Sequence, residues 1–273
     1  MDNSKKVCKR ISVGFKHFRR DIHSIWEDLV ATELYLSKVH NLIKKNQMDL
    51  LKLPNLDDLQ PDINFSKDRT FGVLHRIRTE KIYRNALIDS ISCFENYLSF
   101  LVYNVYIDKP EILKNIFGDE TEKREIKLIN IILESDDKEQ MIERIIEEKI
   151  RSMLYGNPSD FFIKDKARLH LKEYFETNRK ELNSYIEINA RRNIFIHNKG
   201  RVDSKYLSEV GKVFTPLYNK NQVAKLDIEY IKKTIITLKI IASIVTVIVF
   251  EKIYKDYNKS TLIGKEYKKR VKS

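Results

Sequence analysis

The residues with the clearest chemical potential lie in one segment, YIEINARRNIFIHNKGRVDSKYL, from Tyr185 to Leu207. On a helix, residues spaced i, i+3, i+4, i+7 and i+8 share one face. That spacing predicts a single, mostly polar stripe made of Asn189, Arg192, Asn193, Ile196 and His197. The stripe combines an imidazole that moves protons near neutral pH with a guanidinium that binds phosphate through two hydrogen bonds.

These side chains suit the cleavage of RNA without a metal ion. The ribose 2′-hydroxyl must lose a proton to attack the neighbouring phosphorus, and a cation must stabilise the charge that builds on the phosphoryl oxygens. His197 is the candidate acid or base, Arg192 the candidate charge stabiliser, and Asn193 an amide able to orient either. The alternative is structural: Arg192 pairs with a carboxylate or caps a helix, and His197 is a satisfied core histidine.

A longer string of residues around the stripe resembles a known family. The R-N-x-x-x-H form of the R-x(4-6)-H motif of HEPN (higher eukaryotes and prokaryotes nucleotide-binding) domains is similar to Arg192-Asn193-Ile194-Phe195-Ile196-His197. The H-N-x-G-x-V pattern of many bacterial HEPN proteins is similar to the continuation Asn198-Lys199-Gly200-Arg201-Val202, with Tyr206 after it.

Two further stretches resemble elements of the same family. ALIDSISCFENYLSFLVYNVY resembles the first core helix, with an inward acidic residue at Glu95, and EEKIRSMLYGNPSDFF resembles a helix and turn that precede the motif helix. The resemblance covers about Ile82 to Tyr257. It implies an all-α fold: an up-and-down HEPN-like bundle, to which the chain adds an N-terminal helix.

The resemblance also implies a function and partners. In the family, two R-x(4-6)-H motifs face each other across a dimer and form one ribonuclease site, which needs no metal or cofactor and leaves a 2′,3′-cyclic phosphate and a 5′-hydroxyl. Arg192 and His197 are then catalytic, supported by Asn193, Glu95, Asn198 and Tyr206. The expected role is that of a toxin or antiviral defence effector. Its expected partners are RNA, a second copy of the chain, and an antitoxin or defence-complex protein.

One departure from the family and one alternative function stay open. Toxins controlled by nucleotidyltransferase antitoxins carry a tyrosine two residues after the histidine, whereas this chain has Lys199, which puts control by nucleotide attachment in doubt. The alternative is a non-catalytic HEPN module that binds RNA or acts as an adaptor. In that case Arg192 would hold phosphate and the basic terminal segments would supply affinity.

The bulk composition agrees with a nucleic-acid partner without establishing one. The chain has 51 Lys and Arg against 39 Asp and Glu, a net charge of +12, which favours polyanions. A Lys- and Asn-rich chain can also be basic through genome composition alone.

Two cysteines and the lack of a signal-peptide pattern predict a cytoplasmic protein. With no glycine-rich phosphate loop, HExxH or CxxC, the sequence supports neither P-loop nor zinc chemistry.

Long helices must position these residues, because 7 Gly and 5 Pro leave little turn chemistry for a sheet. Apolar periodicity predicts helices over 13–45, 74–107, 141–156, 167–197 and 226–257, with a loop over 53–70 and a helix end at Gly200. The predicted organisation is an N-terminal helix and linker over 1–70, the bundle over 71–258 and a basic tail over 259–273.

One helix needs a membrane test. Residues Ile235 to Phe250 read IITLKIIASIVTVIVF, interrupted by Lys239. A bilayer span needs roughly 20 apolar residues, so we interpret this stretch as a buried core helix and expect no membrane partner. After the ribonuclease and the RNA-binding or adaptor module, the third candidate function is that of a protein that this helix anchors in a membrane.

Overall fold

The computed structural model describes residues 3–53, 63–114, 137–154 and 159–271, and these residues form an all-α fold with one two-residue β-ladder. The all-α class is confirmed. The helices are α1 Asn3–Lys44, α2 Lys67–Arg76, α3 Ile82–Asp108, α4 Glu111–Lys114, α5 Lys138–Leu154, α6 Asp160–Ile163, α7 Lys172–Thr177, α8 Arg179–His197, α9 Ser204–Val210, α10 Ile228–Ile248 and α11 Tyr257–Val271. Single π-helical segments, Ile77–Lys81 and Val249–Ile253, follow α2 and α10.

All of the β-ladder except Lys52 lies in the segment that was predicted to be a loop. Strand β1, Lys52–Leu53, pairs antiparallel with β2, Ile63–Asn64. The rest of the predicted loop between them, 54–62, lies outside the described residues. The loop ends earlier than predicted, because the hydroxyl of Ser66 accepts a hydrogen bond from the backbone N–H of Arg69 and so starts α2 at Lys67.

The N-terminal helix belongs to the main core. Its buried residues recur every three or four positions, as Val7, Ile11, Phe15, Phe18 and Ile22. The predicted start at residue 13 is wrong, since this apolar repeat continues back to Val7 and the helix begins at Asn3. On α3, the Tyr97 ring stacks on Phe18 with centroids 4.9 Å apart.

Helices α3 and α10 form the centre of the fold. Leu87, Phe94 and Leu101 of α3 and Leu238 and Val245 of α10 are fully buried in one cluster. Among the described residues, 228–253 is the one helical stretch long and apolar enough to cross a membrane, and most of it is buried here. Its start, predicted near residue 226, is set by the Asp227 carboxylate, which accepts from the Tyr230 N–H.

The helix predicted over 167–197 is wrong in its first third. Residues Asp165, Arg168 and His170 have left-handed backbone φ angles of 45°, 51° and 62°. The Asp165 carboxylate fixes this loop, because it accepts hydrogen bonds of 2.9 Å from the N–H groups of both Leu169 and His170. Helix α7 follows this loop, and a break at Asn178 separates α7 from α8, which starts at Arg179.

The predicted end of α8 agrees with the structure, whereas the boundary predicted at residue 258, after α10, does not. Gly200 adopts φ 78° and donates its N–H to the Ile194 carbonyl, so the predicted helix end is confirmed. In contrast, α11 runs through the expected boundary at residue 258. Ser260 and Ile263 are buried there, so these residues belong to the core and not to a solvated tail.

Candidate functional site

An open cleft of about 820 Å³ lies where α3, α5 and α8 meet. Three helices supply its walls, and polar side chains make up most of the lining. The lining residues are Glu95, Asn96, Ser99, Phe100 and Tyr103 from α3, Glu147, Ile150, Arg151 and Leu154 from α5, and Asn189, Arg192, Asn193 and His197 from α8.

Helix α8 turns its polar stripe into this cleft because its other faces are buried. Leu182, Tyr185 and Ile188 pack in the main core. The Tyr185 ring meets Phe94 of α3 edge-on, with centroids 5.3 Å apart, and this contact fixes α8 against α3 beside Glu95. Every polar member of the predicted stripe lines the cleft, and Ile196 does not.

Arg192 lies where α8 meets α3, and its interactions with neighbouring side chains are long and therefore weak. Its Nη2 is 3.8 Å from Oε2 of Glu95, and its Nη1 donates to Oδ1 of Asn193 over 3.3 Å. Its Nε is buried and has no hydrogen-bond partner in the described part of the chain. Arg192 thus does meet a carboxylate, as the structural reading expects, but the long distance leaves its terminal nitrogens able to bind a phosphate.

Glu95 lines the cleft from α3. Burial raises the pKa of its carboxyl group above the ordinary value, and the nearby Arg192 guanidinium opposes this shift without cancelling it. The charged form of Glu95 is therefore poorly stabilised in the cleft. An anion that binds the Arg192 guanidinium therefore competes only with the weakly interacting Glu95 carboxylate.

His197 is the last residue of α8 and is exposed at the mouth of the cleft. Its imidazole makes no hydrogen bond or ion pair with any residue that the structure describes, so the core-histidine reading is wrong. An exposed imidazole without a fixed partner can exchange a proton with a bound substrate.

Two of the predicted supporting residues lie elsewhere. The Tyr206 hydroxyl donates to Oε1 of Glu187 over 3.0 Å and lies beside Arg191, outside the cleft lining. Burial, followed by the Glu187 charge, raises the pKa of Tyr206 to about 12. The Asn198 amide donates to the Arg201 carbonyl over 2.7 Å and so stabilises the turn after α8. Neither side chain is among the residues that line the cleft, and Tyr206 follows the reversal of the chain at Gly200.

Sequence reasoning missed the wall that α5 supplies. Glu147 and Arg151 are one helical turn apart, and Arg151 is largely exposed, with Nη1 3.8 Å from Oε2 of Glu148. The signal was present as an i, i+4 pair beside the buried residues Ile146 and Ile150. What the sequence lacked was the packing of α5 against α3, where the Tyr103 hydroxyl donates to Glu143.

The described residues contain no group of three or more His, Cys, Asp and Glu side chains placed to hold a metal ion. Compared with known proteins, the chain matches no family model, no curated protein and no solved structure.

Proposed function

We propose that the protein is a metal-independent endoribonuclease of the HEPN type, with a HEPN-like bundle, and that Arg192 and His197 cleave RNA. One observation carries the proposal: a weakly paired guanidinium and an exposed imidazole without a partner line the same open cleft. The resemblance of the Arg192 to His197 run to the R-x(4-6)-H motif supports the same chemistry.

The reaction needs two proton transfers. His197 takes the proton from the ribose 2′-hydroxyl, and the 2′-oxygen attacks the adjacent phosphorus. The bond from phosphorus to the 5′-oxygen breaks, and this oxygen receives a proton from a second acid. Arg192 stabilises the charge on the phosphoryl oxygens, with Asn193 and Glu95 orienting its side chain. The products are a 2′,3′-cyclic phosphate and a 5′-hydroxyl.

The cleft of one chain offers one histidine among its lining residues, so a second copy of the chain supplies the second acid in this proposal. The active form is a homodimer with a composite site. We further propose that it acts in the cytoplasm as a toxin or antiviral defence effector, held in check by an antitoxin or defence-complex partner.

The test is cleavage of mixed cellular RNA by purified protein in EDTA, followed by analysis of the product termini. Wild type should cut and leave cyclic-phosphate ends. His197→Ala should lose at least about 100-fold in rate, the usual contribution of a general acid or base. His75→Ala is the matched control, because His75 is also exposed and helical but lies on α2.

Equal loss in both histidine variants would reject His197 as the catalytic group. Absence of cutting by wild type, together with salt-sensitive RNA binding, would replace the nuclease with the non-catalytic RNA-binding or adaptor module. Cutting that stops in EDTA would reject metal independence.

A further inference from the structure

The outer face of α1 carries a row of cations. Lys5, Lys9, Lys16 and Arg20 are all exposed and follow helical spacing, and we call these four the α1 basic stripe. The apolar residues of α1 are buried against α3 and α10, which holds the stripe outward. From Lys5 to Arg20 the helix rises roughly 23 Å, and the first acidic side chain in α1 is Asp21.

A shallow groove of about 280 Å³ lies beside the stripe, and every side chain that lines it is basic: Lys16, Arg19, Arg20 and His23 from α1, and Lys239 from α10. Two acidic residues of α1 form exposed ion pairs with residues that line this groove. Asp21 lies 3.1 Å from Arg20, and Glu27 lies 3.4 Å from His23. Neither carboxylate lines the groove. Exposed pairs of this kind contribute little and are screened by salt.

Lys239 is a second observation in favour of anion binding at this groove, which we call the Lys239 groove. It interrupts the most apolar helix of the chain, where a lysine costs burial energy, and it is half-buried. Its position places a further positive charge beside those of α1. A surface on which several cations converge attracts polyanions.

We propose that the α1 basic stripe and the Lys239 groove bind the phosphate backbone of single-stranded RNA and hold the substrate that the cleft cuts. The choice of RNA as the polyanion rests on the proposed function. The length of the stripe favours an extended polyanion over a small one. Such contacts carry affinity without reading sequence.

The surface continues from α1 towards the cleft. A second groove, between α1 and α3, is lined by Gly14 and His17 and shares Asn96 and Phe100 with the cleft. Asp21 and Asp89 also line this groove, so the phosphate contacts belong to the stripe and not to the path between. In this proposal, a strand held on α1 follows this groove to the cleft.

A membrane surface fits the same face less well. Helices that bind membranes insert bulky apolar side chains next to their cations. Here the apolar face of α1 is buried in the core, and Val13 is the exposed large apolar residue among the described residues before Val30. The α1 basic stripe therefore offers positive charge but no apolar face that could insert into a membrane.

The test measures RNA binding in the His197→Ala background, so that cleavage does not enter. The stripe variant is Lys5→Gln/Lys9→Gln/Lys16→Gln/Arg20→Gln. The control variant, Lys81→Gln/Arg84→Gln/Lys212→Gln/Lys220→Gln, removes the same charge from exposed positions elsewhere. Glutamine keeps helix propensity close to that of lysine, and circular dichroism verifies that both variants are folded.

Each protein is titrated with an oligouridylate of about 20 nucleotides between about 50 and 200 mM KCl. Four lost phosphate contacts should lower the magnitude of the slope of log K against log salt by about 3, and the control should change it far less. Lys239→Met should weaken binding more than Lys232→Met, since both lysines lie on α10 and only Lys239 lines the groove.

Equal slopes in the stripe and control variants would overturn the proposal, and so would a stripe variant that loses binding to phosphatidylserine vesicles but not to RNA. The outcome is separable from that of the proposed function. Stripe-dependent binding by a wild type that never cuts RNA rejects the nuclease alone. Cutting that depends on His197 but is indifferent to the stripe rejects this surface alone.

Discussion

Adjacent arginines on α8 have different surroundings. Arg191 is buried, lies 2.6 Å from Glu187, and has the Tyr230 ring 4.2 Å from its guanidinium carbon. Arg192, one step further along the helix, lines the open cleft and meets Glu95 only at 3.8 Å. One residue rotates the side-chain direction by about 100°, so the same residue type serves the core at one position and the cleft at the next.

This contrast predicts different outcomes for the same substitution. Arg191→Gln removes the cationic partner of the half-buried Glu187 carboxylate, which keeps the hydroxyls of Tyr206 and Tyr230 as donors, and should lower the free energy of unfolding by about 3 kcal/mol. Arg192→Gln removes a long, partly exposed pair and should cost under about 1 kcal/mol, while the cleavage rate falls about 100-fold or more. Urea unfolding and RNA cleavage in EDTA measure the two effects.

Arg84→Gln is the matched control for both measurements, because Arg84 is exposed on α3 and lies outside the cleft. It should change neither quantity. A loss of stability in Arg192→Gln as large as that in Arg191→Gln would give Arg192 a structural role.

Helical spacing alone could place Asn189, Arg192, Asn193 and His197 together, because they belong to one uninterrupted helix. It could not place Tyr206. That residue follows a reversal held by long-range bonds, in which the Val202 N–H donates to the Gln222 carbonyl and Arg201 pairs with Val223. Residues whose position depends on such distant partners cannot be assigned from local pattern.

At the scale of elements, the sequence predicted helix ends that a single residue determines. Gly200 ends α8 with a left-handed backbone, as predicted. The missed loop before α7 depends on one carboxylate, that of Asp165, which binds two backbone N–H groups further along the chain. An aspartate just before an apolar repeat gives no sign of this behaviour, so periodicity started the helix too early.

The contact of α1 with α3 depends on Gly14. A Cβ atom at this position would lie 2.1 Å from Cε1 of Phe100, a ring that also lines the cleft. Gly14→Ala should therefore force the ring or the helix to move and lower the free energy of unfolding by about 1–3 kcal/mol, as overpacking does. Thermal and urea unfolding measure the change.

Gly72 of α2 supplies the control, since nothing lies within 4 Å of a Cβ added there. Gly72→Ala should stabilise the protein by about 0.5–1 kcal/mol through helix propensity. Phe100→Leu in the Gly14→Ala background should recover part of the loss. If Gly14→Ala proves as stabilising as Gly72→Ala, the close approach of α1 to Phe100 is refuted.

For the whole molecule, the sequence predicted the all-α class but not how far the core extends. The buried residues of α1 and of α11, such as Ile11 and Ile263, join those of α3 and α10 in one cluster. The segment after residue 258, which was expected to be a tail, thus contributes to the same core. Periodicity identifies an apolar face, but the partner of that face depends on the tertiary arrangement.

Dimerisation is the whole-molecule prediction of the proposed function. If two copies build one site, activity requires the dimer, and the specific cleavage rate should rise with protein concentration until dimers predominate. Light scattering of the eluting protein should give a dimer mass over the same concentration range. An excess of His197→Ala should form mixed dimers and reduce the wild-type rate at saturating RNA. An equal excess of an inert protein should leave the rate unchanged, whereas a rate strictly proportional to wild-type concentration would show that each chain cuts alone through its own Arg192 and His197.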